Sequence, residues 1–145
     1  MIESVLTALF GGVLIGAAAS DVMTLRIPNV LSLALVALFA VHVVTSEMPP
    51  MDILWHLTAG TIVLGGGMAL FAWGKLGGGD AKLMAAVSLW VGTSLLMPLL
   101  ILVSLVGLVI AVVILALRSR GLAIKKLPYG VAIAGGWLLL FFIHS

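Results

Sequence analysis

Asp21 and Asp80 are the two residues in this sequence whose type and setting call for chemistry. Acidic residues number only 5 in 145, and most of the chain is apolar. Asp80 stands behind Gly77-Gly78-Gly79 and ahead of Ala81-Lys82-Leu83-Met84-Ala85-Ala86; Asp21 closes an apolar run after Ala17-Ala18-Ala19-Ser20. A carboxylate at the edge of a membrane is costly unless a partner or a reaction uses it. Three glycines leave room for another backbone to approach Asp80. Two carboxylates brought together cannot both ionise easily, so one keeps a proton and the pair titrates as a unit. Such a pair can hydrolyse an amide. The ionised acid takes a proton from water, and the protonated one donates to the carbonyl oxygen. No covalent intermediate, metal or cofactor is called for.

The elements that must hold these acids are membrane helices. The chain is 63% hydrophobic and 8% charged, with a mean hydropathy of +1.38. A soluble domain carries about a quarter charged residues. Lipid is therefore the expected solvent, and the fold class is all-α. At ~20 residues per crossing, the chain holds about six spans and leaves no room for a separate soluble domain. We expect one transmembrane domain over residues 1–145. The apolar runs lie at about Val5–Ser20, Val30–Thr45, Ile53–Trp73, Ala81–Met97, a fifth reaching Leu117, and Leu127–Ile143. Pro28 and the pair Pro49-Pro50 punctuate the first two connections. A turn is expected near Gly92 to Pro98. Gly11, Gly12 and Gly16 read as a close-packing stripe, and Gly65-Gly66-Gly67 as a second. Glu3 is the sole charge before Ser20, so the first span does not read as a cleavable signal and is expected to remain.

The charges orient this arrangement. With both termini outside and alternating helices, all seven basic residues fall inside: Arg26, Lys75, Lys82, Arg118, Arg120, Lys125 and Lys126. Glu3, Glu47 and Asp52 fall outside. Asp21 and Asp80 alone among the acids lie inside with the cations. A five-span alternative would put the Arg118–Lys126 loop outside. The basic residues serve better as a topology signal, with the last cluster against anionic headgroups, than as a nucleic-acid footprint.

Plainer roles compete for the same residues. Asp80 could cap the fourth helix, and Asp21 could pair with Arg26 in solvent. Lys75 and Lys82 read as snorkelling anchors. His42, His56 and His144 have no metal-site spacing. Trp55, Trp73, Trp90 and Trp137 fall mostly near helix ends, where aromatic belts sit. Cysteine is absent, which excludes disulfides, thiolate catalysis and Cys-ligated zinc.

Three blocks resemble the prepilin peptidases, a family of GxGD intramembrane aspartyl proteases. Gly77-Gly78-Gly79-Asp80 fits the GxGD motif, and the following Ala81–Ala86 looks like the prepilin peptidase version rather than the presenilin one. Asp21 with Ile27-Pro28-Asn29 resembles the first catalytic block. Leu127-Pro128-Tyr129-Gly130-Val131-Ala132-Ile133-Ala134 resembles the C-terminal block. The resemblance implies that Asp21 and Asp80 are the catalytic pair, with Gly77, Gly78 and Gly79 as an active-site loop. It adds a site-shaping role for Pro128, Tyr129 and Gly130. It also implies cleavage of type IV prepilin-like leaders at the cytoplasmic face of the inner membrane, typically just after a glycine. Larger members carry a cytosolic segment with paired CxxC motifs and methylate the new N-terminus. Here only Met23 to Pro28 stands between the first two helices, so methylation is not expected. The short form looks like the peptidases of tight-adherence (Flp) pilus systems. Two other readings of the acids remain open: proton carriers in a small transporter, or bystanders in a non-catalytic assembly subunit.

Overall fold

The computed structural model describes residues 2–121 and 127–144. Six helices follow one another: α1 (Ile2–Thr24), α2 (Asn29–Thr45), α3 (Pro50–Ala72), α4 (Gly78–Val91), α5 (Leu96–Ser119) and α6 (Tyr129–His144). The chain is an all-α polytopic membrane protein. α1, α3 and α5, at 23, 23 and 24 residues, are long and apolar enough to cross a bilayer. α2 and α6 are shorter apolar helices of 17 and 16 residues. α4 has 14 residues and rises only about 21 Å.

The shortest helix is the hub. α4 packs on α3, α2, α6 and α5, and α1 closes against α6 and α2. Most of α4 from Ala81 to Leu89 is buried, with Lys82 as the exception. A helix covered on nearly every side is a core element. By contrast α5 leans mainly on α6, and Ile101, Leu105, Leu108, Val109 and Val112 remain exposed. In lipid those side chains need no cover, so packing must come from shape instead.

Glycine supplies that shape, at positions other than those the spacing predicts. Gly12 and Gly16 face open space, and a Cβ at Gly11 would only graze Trp137. The expected stripe on α1 is therefore not a contact. Gly65 and Gly66 are likewise open, whereas a Cβ on Gly67 would come within 2.9 Å of the Ala81 Cβ. Gly136 makes the tightest approach between two helices: a Cβ there would lie 2.7 Å from the Val103 backbone nitrogen. The small-residue spacing marks which residues can approach a neighbour. It does not say on which side the neighbour stands.

Two further expectations are corrected. Pro98 lies in the first turn of α5 rather than in a connection. The first amides of a helix have no carbonyl to bond, so proline loses nothing there. The turn between α4 and α5 is Gly92–Leu95, with Gly92 at φ +70°. Trp90 and Trp137 are not belt residues. Phe10 packs against both rings at 4.7 Å, and the Trp90 Nε1–H donates to Leu35 O at 2.9 Å. Trp55 and Trp73 are exposed.

The chain reverses at each connection, which sorts the charges by end. Arg26, Lys75, Lys82, Arg118 and Arg120 lie at the end that holds Asp21 and Asp80. Glu3, Glu47 and Asp52 lie at the other. Lys125 and Lys126 fall outside the described residues.

Candidate active site

Asp21 sits in the last turn of α1 and is only 5% exposed. Beyond it the chain makes a tightly held reversal. Leu25 takes φ +54°, and its N–H donates to Asp21 O at 2.9 Å. The Ser20 and Thr24 hydroxyls then reach the Arg26 carbonyl at 2.9 and 3.1 Å. Ile27, pushed toward extended backbone by Pro28, is turned inward and buried.

Asp80 lies in the first turn of α4, whose N-cap is Gly77. It is not the cap residue. Gly78 and Gly79 are already helical, so two of the three expected loop glycines belong to the helix. Gly77 and Gly79 have separate reasons to lack a side chain, and Gly78 has room for one. A Cβ on Gly77 would strike the Asp80 Oδ2, so the carboxylate folds back over that residue. A Cβ on Gly78 would make only an ordinary contact with the Phe71 ring, at 3.4 Å. A Cβ on Gly79 would lie 3.0 Å from the Ile27 carbonyl oxygen.

Ile27 is the joint between the two acids. One side of it meets Gly79, next to Asp80; its Cδ1 meets Gly130, at the start of α6. The Gly130 N–H in turn donates to the Asp21 Oδ2 at 2.7 Å. That amide belongs to the first turn of α6, where backbone donors have no partner within the helix. A carboxylate there also meets the positive end of the helix dipole. Asp80 occupies the same electrostatic position on α4. Each acid thus stands at a helix N-terminus, and the ends of α1, α4 and α6 converge around one isoleucine.

Asp21 takes the Gly130 amide as its partner rather than Arg26, which removes the simple surface-pair reading. Lys82 is more than an anchor: its Nζ donates to Asn29 Oδ1 at 3.1 Å and ties α4 to α2. Tyr129 is 37% exposed, and Pro128 precedes α6. Gly130, in the C-terminal block, is in contact with Asp21. A Cβ there would lie 3.0 Å from the Asp21 Cβ. No group of three or more His, Asp or Glu able to hold a metal occurs among the described residues. At the opposite end His56 Nδ1 lies 2.8 Å from Leu89 O, and His42 stacks on Trp90.

Residues 8–112 match the model of the type IV leader peptidase family. The chain belongs to that family. The match includes both aspartates and the glycines before Asp80, and it ends before α6. A leader peptidase of this family works in a membrane on prepilin-type precursors, which agrees with the apolar bundle described above. No curated protein and no solved structure matches the chain.

Sequence reasoning overlooked two contributors to this candidate site. Ile27 was visible only as part of a motif, although an isoleucine between Arg26 and Pro28 in a polar reversal signals a side chain with somewhere to go. The Lys82–Asn29 bond joins residues far apart in sequence, and no local pattern announces it.

Proposed function

We propose that this protein is a membrane aspartyl endopeptidase that removes the leader from type IV prepilin-like precursors of the Flp class. The observation that carries the proposal is the convergence of Asp21 and Asp80 on Ile27 within a chain of the leader peptidase family. One carboxylate takes a proton from a water molecule as it attacks the scissile carbonyl. The other donates its proton to the carbonyl oxygen. The tetrahedral intermediate then collapses as a proton passes to the departing amine. The Gly130 amide holds Asp21 in place throughout, so less ordering is required when the substrate arrives. Gly77, Gly78 and Gly79 let the backbone lie close around Asp80.

We place the site at the cytoplasmic face of the inner membrane, with six crossings, both termini outside and residues 1–145 acting as one peptidase domain. The gathering of the described cations at the aspartate end supports that orientation. Asp21→Asn and Asp80→Asn test the mechanism, because an amide of the same shape cannot shuttle the proton. Each variant is expected to insert normally and to lose about 10²–10⁴-fold or more in processing of a co-expressed prepilin. Near-normal processing by either would refute the pair. Proton flux through liposomes that lack any peptide, dependent on Asp80, would favour a transporter instead.

A further inference from the structure

The hydroxyl of Ser20 departs from the pattern of the helical hydroxyls around it. Thr7, Thr58, Thr61, Ser88 and Ser104 each donate to the carbonyl four residues back in their own helix. That is the usual bond for a serine or threonine within a helix. Ser20 instead reaches six residues forward, out of α1, to the Arg26 carbonyl at 2.9 Å. Thr24 has the Ser20 carbonyl as a nearer acceptor, at 2.8 Å against 3.1 Å for Arg26 O. Ser20 is therefore the side chain committed to the reversal. Leu25, inside that reversal, sits at φ +54°, which a leucine holds only where its surroundings fix it. The Arg26 carbonyl shares one rigid peptide plane with the Ile27 nitrogen. Fixing that carbonyl fixes the direction in which Ile27 enters the bundle.

We propose that Ser20 is a positioning residue for the Asp21–Asp80 pair, acting through Ile27, an inference that rests on the peptidase reading. α1 and α4 carry the two acids, yet their backbones hardly approach each other. The Phe10 and Trp90 rings do meet, at 4.7 Å, but Phe10 stands roughly 16 Å along α1 from Asp21. The spacing of the acids is therefore set by what lies between them. Ile27 is buried there. Its carbonyl packs on Gly79, next to Asp80, and its Cδ1 packs on Gly130, whose N–H donates to the Asp21 Oδ2 at 2.7 Å. A rotation of the Arg26–Ile27 peptide moves the support under both acids at once. The bond from Lys82 Nζ to Asn29 Oδ1 also ties this connection to α4, but it does not touch Asp21. Ser20 itself meets no substrate in this scheme, so it governs turnover rather than affinity.

The test is cleavage of a prepilin-type precursor by purified full-length variants, with the thermal midpoint of each measured alongside. Ser20→Ala is expected to lower kcat about tenfold and to leave KM within about twofold, with little change in thermal midpoint. Ser20→Thr keeps the hydroxyl and should recover most of the loss. Ile27→Val removes only the Cδ1 methyl that meets Gly130, and should also cost about tenfold in kcat. Because Ser20 acts through Ile27, the two losses should not add. The Ser20→Ala/Ile27→Val double variant is expected to fall about as far as one single variant, whereas independent effects would give about 100-fold. Ser104→Ala, whose hydroxyl bonds its own preceding turn, is the control and should process normally. An unchanged kcat in Ser20→Ala overturns the positioning role and leaves the peptidase reading standing. So does a loss that Ser20→Thr fails to repair, that follows the thermal midpoint, or that adds in full to the loss from Ile27→Val. No cleavage by the unaltered protein overturns the peptidase reading and this inference with it.

Discussion

At the residue scale, the two acids are held by glycines that act through what they leave empty. Gly77 makes room for the Asp80 carboxylate, and Gly130 brings a backbone amide onto Asp21. Adding one methyl group at either place should displace a carboxylate without removing it. Gly77→Ala and Gly130→Ala are each expected to reduce precursor processing on the order of 10²-fold, the usual consequence of a misplacement near 1 Å. Processing assays alongside a measure of membrane insertion check this. Gly66→Ala, at a position with nothing within contact distance, is the control and should process normally. The Asp80 setting was legible in sequence because a lone acid behind three glycines is rare in an apolar chain. The Asp21–Gly130 bond was not, since its partners are brought together only by the return of α6 to the end of α1.

At the element scale, the helices were legible and their contacts were not. Apolar runs and prolines located every helix, because length and punctuation are local properties. Pro98 was misread because proline marks a turn and a helix start equally well. The glycines were misread for a different reason. Gly12 and Gly16 have the same spacing as productive small-residue pairs, yet α1 turns that face away from any neighbour. Gly136 shows the real seam, where α6 presses on the backbone of α5 at Val103. Gly136→Ala should therefore destabilise the detergent-solubilised protein by about 1–3 kcal/mol, as overpacking does. Gly12→Ala should be near neutral or slightly stabilising, since alanine is the better helix former by about 1 kcal/mol. Thermal melts of the two variants decide the matter, and equal losses would contradict the packing described. Trp90 misled in a similar way. It lies near the end of a helix in sequence, but that helix is the one enclosed by the others.

At the scale of the molecule, the charges divide between the two ends of the bundle. Single thiols placed at Gly74 and at Glu47 lie in connections at opposite ends. A membrane-impermeant maleimide added to intact cells is expected to label Glu47→Cys and to spare Gly74→Cys until the membrane is opened. The reverse pattern would turn the aspartate end outward and remove the cytoplasmic assignment. The short central helix has a consequence of its own. In a hydrocarbon layer about 30 Å thick, α4 falls short by about 9 Å. The non-helical stretches Trp73–Gly77 and Gly92–Leu95 make up the difference; the amides of Trp73, Gly74, Lys75 and Gly92 bond back to helix carbonyls, and hydrocarbon can offer nothing to the rest. On the six-crossing reading proposed above, polar backbone therefore sits below headgroup level beside Asp80, where protein or water has to cover it. For the proposed peptidase mechanism, that end of α4 is the route by which water would reach Asp80 from the membrane surface.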